Sequence, residues 1–196
     1  MANVTVDSNM VPFIMMDVPD ILQQKQIGVC INRNKDGYQG GMIPDRQNVI
    51  RCIDSHPLAS IHAGMRDYDC PQNYAILEFS DALVILNSQA YSQQYGDQVH
   101  VNGWPLQVTF AGNSDNTNSY IPKFQTQKAI HLFARVHKRD PFKYCGRLQL
   151  LHMPPVMIGE TPTWRFDMLD VPNPPPQTFM QFLINVYDAP PVPTSI

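Results

Sequence analysis

The chain has 196 residues, of which 43% are hydrophobic and 16% are charged. This length suffices for one well-packed domain and leaves little room for two, and the low charged fraction means that Asn, Gln, Ser and Thr must supply much of the surface polarity. A formal net charge of -3 argues against a protein that is basic over its whole surface and binds nucleic acid generally.

The sequence carries no sign of export or membrane insertion. Its first residues, MANVTVDSNM, lack a basic start followed by an apolar core, and no apolar run approaches the ~20 residues that a membrane span needs. The four cysteines include no CxxC pair. We therefore expect an intracellular protein, cytoplasmic or nuclear, with reduced thiols and no membrane contact. The oligomeric state is left open.

The first part of the chain is predicted to contain short helices. Asp17 as N-cap, with Pro19 in the first turn, predicts a helix that ends before Gly28. Residues 34–48 have the glycine and proline content of a loop. A second short helix is predicted in QNVIRCIDSHPLASI, broken by Pro57.

From residue 73 onwards the pattern changes to short β-prone runs. The predicted strands are NYAILEF, DALVILN, KAIHLFARV, FKYCGRLQLL and TWRFDMLDV, together with a hairpin in DQVHVNGWPLQVTF. In that hairpin, Asn102-Gly103 between alternating apolar residues predicts a tight turn. The segments AGNSDNTNSYIPK and MPPVMIGETPT are predicted to be loops, and FMQFLINVY fits either helix or strand.

About seven short strands separated by turn signals fit a β-barrel or sandwich. The predicted fold class is α+β, a mainly antiparallel β-barrel with short N-terminal helices. We expect one domain over residues 1–188, with its helical part in 1–60 and its barrel in 73–188, and a loose tail at 189–196.

Residues 131–151, HLFARVHKRDPFKYCGRLQLL, combine a strand ending in LFAR, a short charged turn and the strand PFKYCGRLQLL. In this order they resemble the core of PUA-like domains, which occur in modification-dependent restriction endonucleases and fused to bacterial helicases. Those domains look related to the SET- and RING-associated domain that reads modified cytosine. Upstream YGDQ, the hairpin carrying Trp104 and downstream WRFDMLDVP extend the resemblance over roughly residues 75–188. The chain departs from the restriction enzymes in having no HNH nuclease motif.

The resemblance implies a non-catalytic module that binds nucleic acid, DNA rather than RNA, and reads a modified or flipped base without a cofactor. Six of the fourteen Lys and Arg residues lie between Lys128 and Leu151, against the single acid Asp140. We predict phosphate contacts from five of them: Arg135, Lys138, Arg139, Lys143 and Arg147. The alternative is a solvated hairpin whose charges prevent edge-to-edge pairing.

A flipped base needs rings to stack on and a polar group at its Watson–Crick edge. The predicted pocket residues are Tyr95, Asp97, Trp104 and Tyr144, with Asp97 as the carboxylate. Core packing is an equally good interpretation of Trp104 and Tyr144, whereas Phe142, Leu148 and Leu150 are expected to fill the core.

No metal site is predicted. Cys52 and His56 have a Cys-x3-His spacing, but His62 and Cys70 do not supply a second close pair.

No catalytic residue is predicted either, since Cys145 is expected to face the core despite nearby histidines. Two alternatives stay open. One is a small nucleotide- or base-modifying enzyme, such as an ADP-ribosyltransferase-like protein that uses Glu78 with Arg46 or Arg66, and the other is a protein-interaction barrel.

Overall fold

The computed structural model describes residues 8–28, 43–53, 76–79, 82–112, 117–137 and 139–187. The helices within these ranges are α1 (Val18–Gln24), α2 (Ile43–Cys52), α3 (Gln89–Tyr95), α4 (Thr117–Phe124) and α5 (Gln177–Tyr187), preceded by a 3-10 helix at Ser8–Phe13. The strands are β1 (Ile76–Glu78), β2 (Ala82–Ser88), β3 (Val99–His100), β4 (Gln107–Ala111), β5 (Ala129–Arg135), β6 (Lys143–Leu150), β7 (Val156–Ile158) and β8 (Thr161–Met168).

All eight strands belong to one mixed sheet. Its order is β1-β2-β5-β6-β8-β4-β3, and β7 pairs with β8 beside this path. Only the β2–β5 pair is parallel among the described pairs. The predicted α+β class is confirmed, as is the prediction of several strands between residues 73 and 171. The predicted barrel is wrong, because β1 and β3 end the sheet without pairing to each other.

Helices on both faces explain why the sheet stays open. Alternate residues of β2 enter different cores: Leu83 and Ile85 pack on the face covered by α4 and α5, while Val84 and Leu86 pack on the face covered by α1 and α2. We call these the α5 face and the α1 face. A strand buried on both sides reads as a continuous apolar run, which is the pattern of LVIL in β2. Its apolar surface is therefore buried without closure into a barrel.

The hairpin between β3 and β4 differs from its prediction. Pairing stops at His100↔Gln107, so residues 101–106 connect the strands and the predicted tight turn at Asn102-Gly103 is wrong. Pro105 lies in this connection and has no N–H to donate to a ladder, which accounts for the early end of pairing.

Helices and strands also occur where loops were predicted. The polar segment 111–123 contains most of α4, α3 was not predicted, and FMQFLINVY lies within α5. The segment MPPVMIGETPT contains β7 and the start of β8, joined by Gly159-Glu160. The helix predicted after Asp17 is confirmed as α1, which ends before Gly28. No described helix is both long and apolar enough to cross a membrane.

Candidate functional site

The basic residues that were predicted to bind phosphate largely contact the protein itself. Arg147 binds Asp170 through two guanidinium nitrogens, with Nε–Oδ2 at 2.8 Å and Nη2–Oδ1 at 2.6 Å. Lys143 Nζ lies 2.9 Å from Asp17 Oδ1 and 3.0 Å from the Met15 carbonyl oxygen. These contacts link β6 to the segments before α1 and after β8.

Arg135 is buried, with its guanidinium carbon 4.3 Å from the centroid of the Phe142 ring. Its Nη1 donates to the Asp140 carbonyl at 3.5 Å. Arg139 is exposed in the β5–β6 connection, and Lys138 lies outside the described residues.

A register shift in β6 separates Lys143 from Arg147. Ala134 pairs with Lys143 and His131 pairs with Arg147, with an irregularity between these pairs at Leu132/Phe133. Residues directly opposite in an antiparallel pair share a face. Lys143 therefore points to the α5 face, where its Nζ is 5.6 Å from the Phe182 ring, and Arg147 points to the α1 face with His131. The cations of β6 do not line one groove.

The predicted pocket residues do not come together either. Tyr144 is fully buried, and its hydroxyl is 2.9 Å from His131 Nδ1. Tyr95 is half-buried with its ring centroid 4.4 Å from that of Tyr91. Trp104 is 47% exposed in the β3–β4 connection. Only Trp104 among these rings presents a large accessible surface.

Asp97 is buried within a polar network of the protein. Its Oδ1 accepts the Ala111 N–H at 2.7 Å, and its Oδ2 accepts a bond from Asn87 Nδ2 at 3.2 Å. Asn87 Oδ1 in turn accepts the Ser92 hydroxyl at 3.1 Å. Burial raises the pKa of Asp97 to about 7, against the opposing effect of the two hydrogen bonds. The network holds α3 against β2 and β4.

A cleft of about 710 Å³ opens at the end of β5 and β6 that lies opposite the β5–β6 connection. It lies on the α5 face, where β2 and β5 begin, β6 ends and the chain leaves α4. Apolar side chains form its floor: Leu83, Phe124, Ile130, Leu148, Leu150 and Met153. Polar side chains around the floor form its rim: Gln125, Gln127, Lys128 and His152.

Most of the rim side chains are exposed. Gln125, Gln127 and His152 all belong to this exposed set. Lys128 is fixed instead, since its Nζ donates to Glu78 Oε1 and to the Phe79 carbonyl oxygen, each at 2.8 Å. The rim therefore offers neutral amides that can donate and accept hydrogen bonds, an imidazole, and one internally paired ammonium.

The size and lining of the cleft suit the reversible binding of a small molecule or chemical group. Its volume lies within the range of roughly 300–1,000 Å³ that is typical of small-molecule sites, and such sites combine an apolar lining with a few polar groups. Two buried groups with raised pKa values, Asp97 and Cys145, whose pKa burial raises to about 12, are not among the lining residues.

The structure also locates residues that were considered for catalysis and for metal binding. Cys145 is buried as predicted. Glu78 pairs with Lys128 and Arg46 is buried in α2, while Arg66 lies outside the described residues. Among the four residues considered as metal ligands, only Cys52 lies within the described residues, and its side chain is buried. Within the described ranges, no three His, Cys, Asp or Glu residues are grouped to hold a metal ion.

No protein-family model matches this chain, and neither does any curated protein sequence.

Proposed function

We propose that this protein is a binding module whose cleft takes up a planar, uncharged heteroaromatic group. The ligand class is a nucleobase, extruded from a nucleic acid, with DNA preferred over RNA. The observation that carries the proposal is the apolar floor of the cleft beneath a rim with two exposed glutamine amides, those of Gln125 and Gln127.

The chemistry of floor and rim matches a base. Its ring needs apolar contact, which the leucine, isoleucine and phenylalanine side chains of the floor provide. Its edge carries both donors and acceptors, which glutamine can meet because its amide has an N–H₂ and a carbonyl oxygen. A neutral ligand is favoured because the ammonium of Lys128 already pairs with Glu78.

The distance between the cleft and the basic hairpin, formed by β5, β6 and their connection, limits phosphate contacts. β5 begins at the cleft with Ala129 and ends at the hairpin with Arg135, a length of roughly 20 Å at about 3.3 Å per residue. A nucleotide whose base enters the cleft therefore has its own phosphate far from the hairpin. Binding should rest more on the base than on the backbone.

The proposal rests on the cleft rather than on the PUA-like resemblance, since the open sheet departs from the barrel that the resemblance implied. The resemblance also implied that the protein reads a modified base. The test therefore compares the binding of a methylated cytosine with that of the unmodified base.

The proposal predicts that removing two rim amides weakens binding. In Gln125→Ala/Gln127→Ala, each lost hydrogen bond costs about 1 kcal/mol, so affinity for a single-stranded oligonucleotide should fall about tenfold or more. The measurement is a fluorescence-anisotropy titration. The matched control is Gln181→Ala, which removes an exposed glutamine of α5 that does not line the cleft, and it should bind like wild type.

Salt and strandedness provide a second readout of the same proposal. We expect a slope of log affinity against log salt shallower than about -2, since each phosphate contact contributes roughly 0.7–0.9. A mismatched duplex should bind better than a matched one, because its base is cheaper to extrude. Equal affinities for wild type and the double variant would reject the cleft. Loss of binding in Trp104→Ala, with the rim variants unaffected, would move the site to the β3–β4 connection.

A further inference from the structure

The hairpin of β7 and β8 leaves an apolar strand at the edge of the sheet. Val156, Met157 and Ile158 are 50%, 57% and 63% exposed. β7 pairs with β8 on one side, and no described strand pairs with its other side. An uncovered edge strand is a template for pairing with another chain, and proteins commonly protect such edges with charges or proline. The three residues of β7 include neither.

The register of the hairpin shows which backbone groups face outwards. Met157 lies opposite Pro162, and the Pro162 carbonyl oxygen accepts the Gly112 N–H at 2.9 Å on the β4 side of β8. The backbone groups of successive residues in a strand point to opposite sides. The Met157–Pro162 pair is therefore not hydrogen-bonded, and the N–H and C=O of Met157 point away from β8 to the uncovered edge.

We propose that two copies of this chain pair through β7, antiparallel and about a twofold axis beside Met157. In this arrangement the N–H of each Met157 donates to the Met157 carbonyl oxygen of the other copy, which is the exchange that defines a hydrogen-bonded antiparallel pair. A twofold interface requires a self-complementary surface, and an uncharged apolar strand meets that requirement.

The side chains fit the same pairing. Val156 and Ile158 lie on the α1 face, opposite Thr163 and Thr161 of β8. In the proposed dimer, Val156 of each copy faces Ile158 of the other copy. Leu151, which is 39% exposed, donates its N–H to the Arg165 carbonyl oxygen and so lies on the same face of the sheet. The three side chains form an apolar stripe along the edge, which dimerisation covers.

The first test removes the outward donor without touching the hairpin's own bonds. Wild type should sediment as a concentration-dependent dimer in analytical ultracentrifugation. Met157→Pro deletes the outward N–H at an edge position that tolerates proline, so it should shift the dimer dissociation constant upwards by about tenfold or more. Met157→Leu keeps the N–H and should dimerise like wild type. Circular dichroism verifies that both variants are folded.

The second test uses charge and does not depend on proline. Val156→Lys/Ile158→Lys and Val156→Glu/Ile158→Glu each place like charges opposite one another in a homodimer, so each should be monomeric. An equimolar mixture places Lys opposite Glu at both positions and should form a heterodimer.

Several results would overturn the proposal. One is a wild-type protein that stays monomeric up to about 1 mM, well above any useful affinity. Another is a dimer that is unchanged by Met157→Pro, or a mixture of the two charge variants that does not associate. A third is binding of β7 to some other protein while the isolated chain stays monomeric.

Discussion

Replacing Arg147 with alanine is expected to lower the free energy of unfolding by about 3–5 kcal/mol. The side chain of Asp170 is only 3% exposed, and its two oxygens accept from the guanidinium and from the Arg147 backbone N–H. Arg147→Ala would leave this buried carboxylate without its counter-ion, which is the costly way to break a buried ion pair. The measurement is denaturant unfolding followed by circular dichroism.

Lys143→Ala is the matched control, since it removes the other ion pair of the same strand. The side chains of Lys143 and Asp17 are 27% and 38% exposed, and pairs with such access to water contribute roughly 0–1 kcal/mol. We therefore expect a much smaller loss than for Arg147→Ala. Equal losses, or a stable Arg147→Ala protein, would contradict the structural role assigned to Arg147.

The buried carboxyl of Asp97 is expected to make stability fall as the pH rises from about 4 to about 7. Its pKa in the folded protein is about 7, against 3.8 for the unperturbed group. The folded state therefore binds the proton more tightly than the unfolded state. The resulting stabilisation is fully present below the unfolded pKa, declines between the two values and is lost above the folded pKa. Three pKa units correspond to about 4 kcal/mol.

The test compares wild type with Asp97→Asn, which cannot ionise. The difference in unfolding free energy between the two proteins should change by about 4 kcal/mol between pH 4 and pH 8, with wild type losing stability relative to the variant. Taking this difference cancels the titration of the other carboxylates. A difference that does not vary with pH would mean that Asp97 is ionised throughout this range.

Local patterns predicted much of the sheet. The runs that became β2, β5, β6 and β8 are apolar, of strand length and flanked by polar residues, so burial alone indicates them. Signals for the missed elements were also present. Ser88 accepts a bond from the Tyr91 N–H as an N-cap, and Gly96 ends α3 in the left-handed region. Gly159-Glu160 is a hairpin-turn dipeptide that the flanking prolines obscured.

The site could not be predicted in the same way. Leu83, Ile130 and Leu148 meet in the cleft from three strands, of which β2 lies more than forty residues before β5, and their apolar character indicates only burial. The prediction that the cations of the basic hairpin line one surface was wrong for a local reason. The register shift in β6 turns Arg147 to the face opposite Lys143, and the acids that pair with them, Asp17 and Asp170, lie well outside the hairpin.

The most direct test of the cleft as a base-binding site is an NMR titration with deoxynucleosides, including a methylated deoxycytidine. We expect the largest shifts in the side-chain amide signals of Gln125 and Gln127 and in the methyl signals of Ile130 and Leu148, which surround the cleft. Signals of the hairpin residues His137 and Arg139 should stay unchanged, since they lie at the far end of β5. Shifts confined to that hairpin or to the Trp104 connection, or no shifts with any nucleoside, would contradict the proposal.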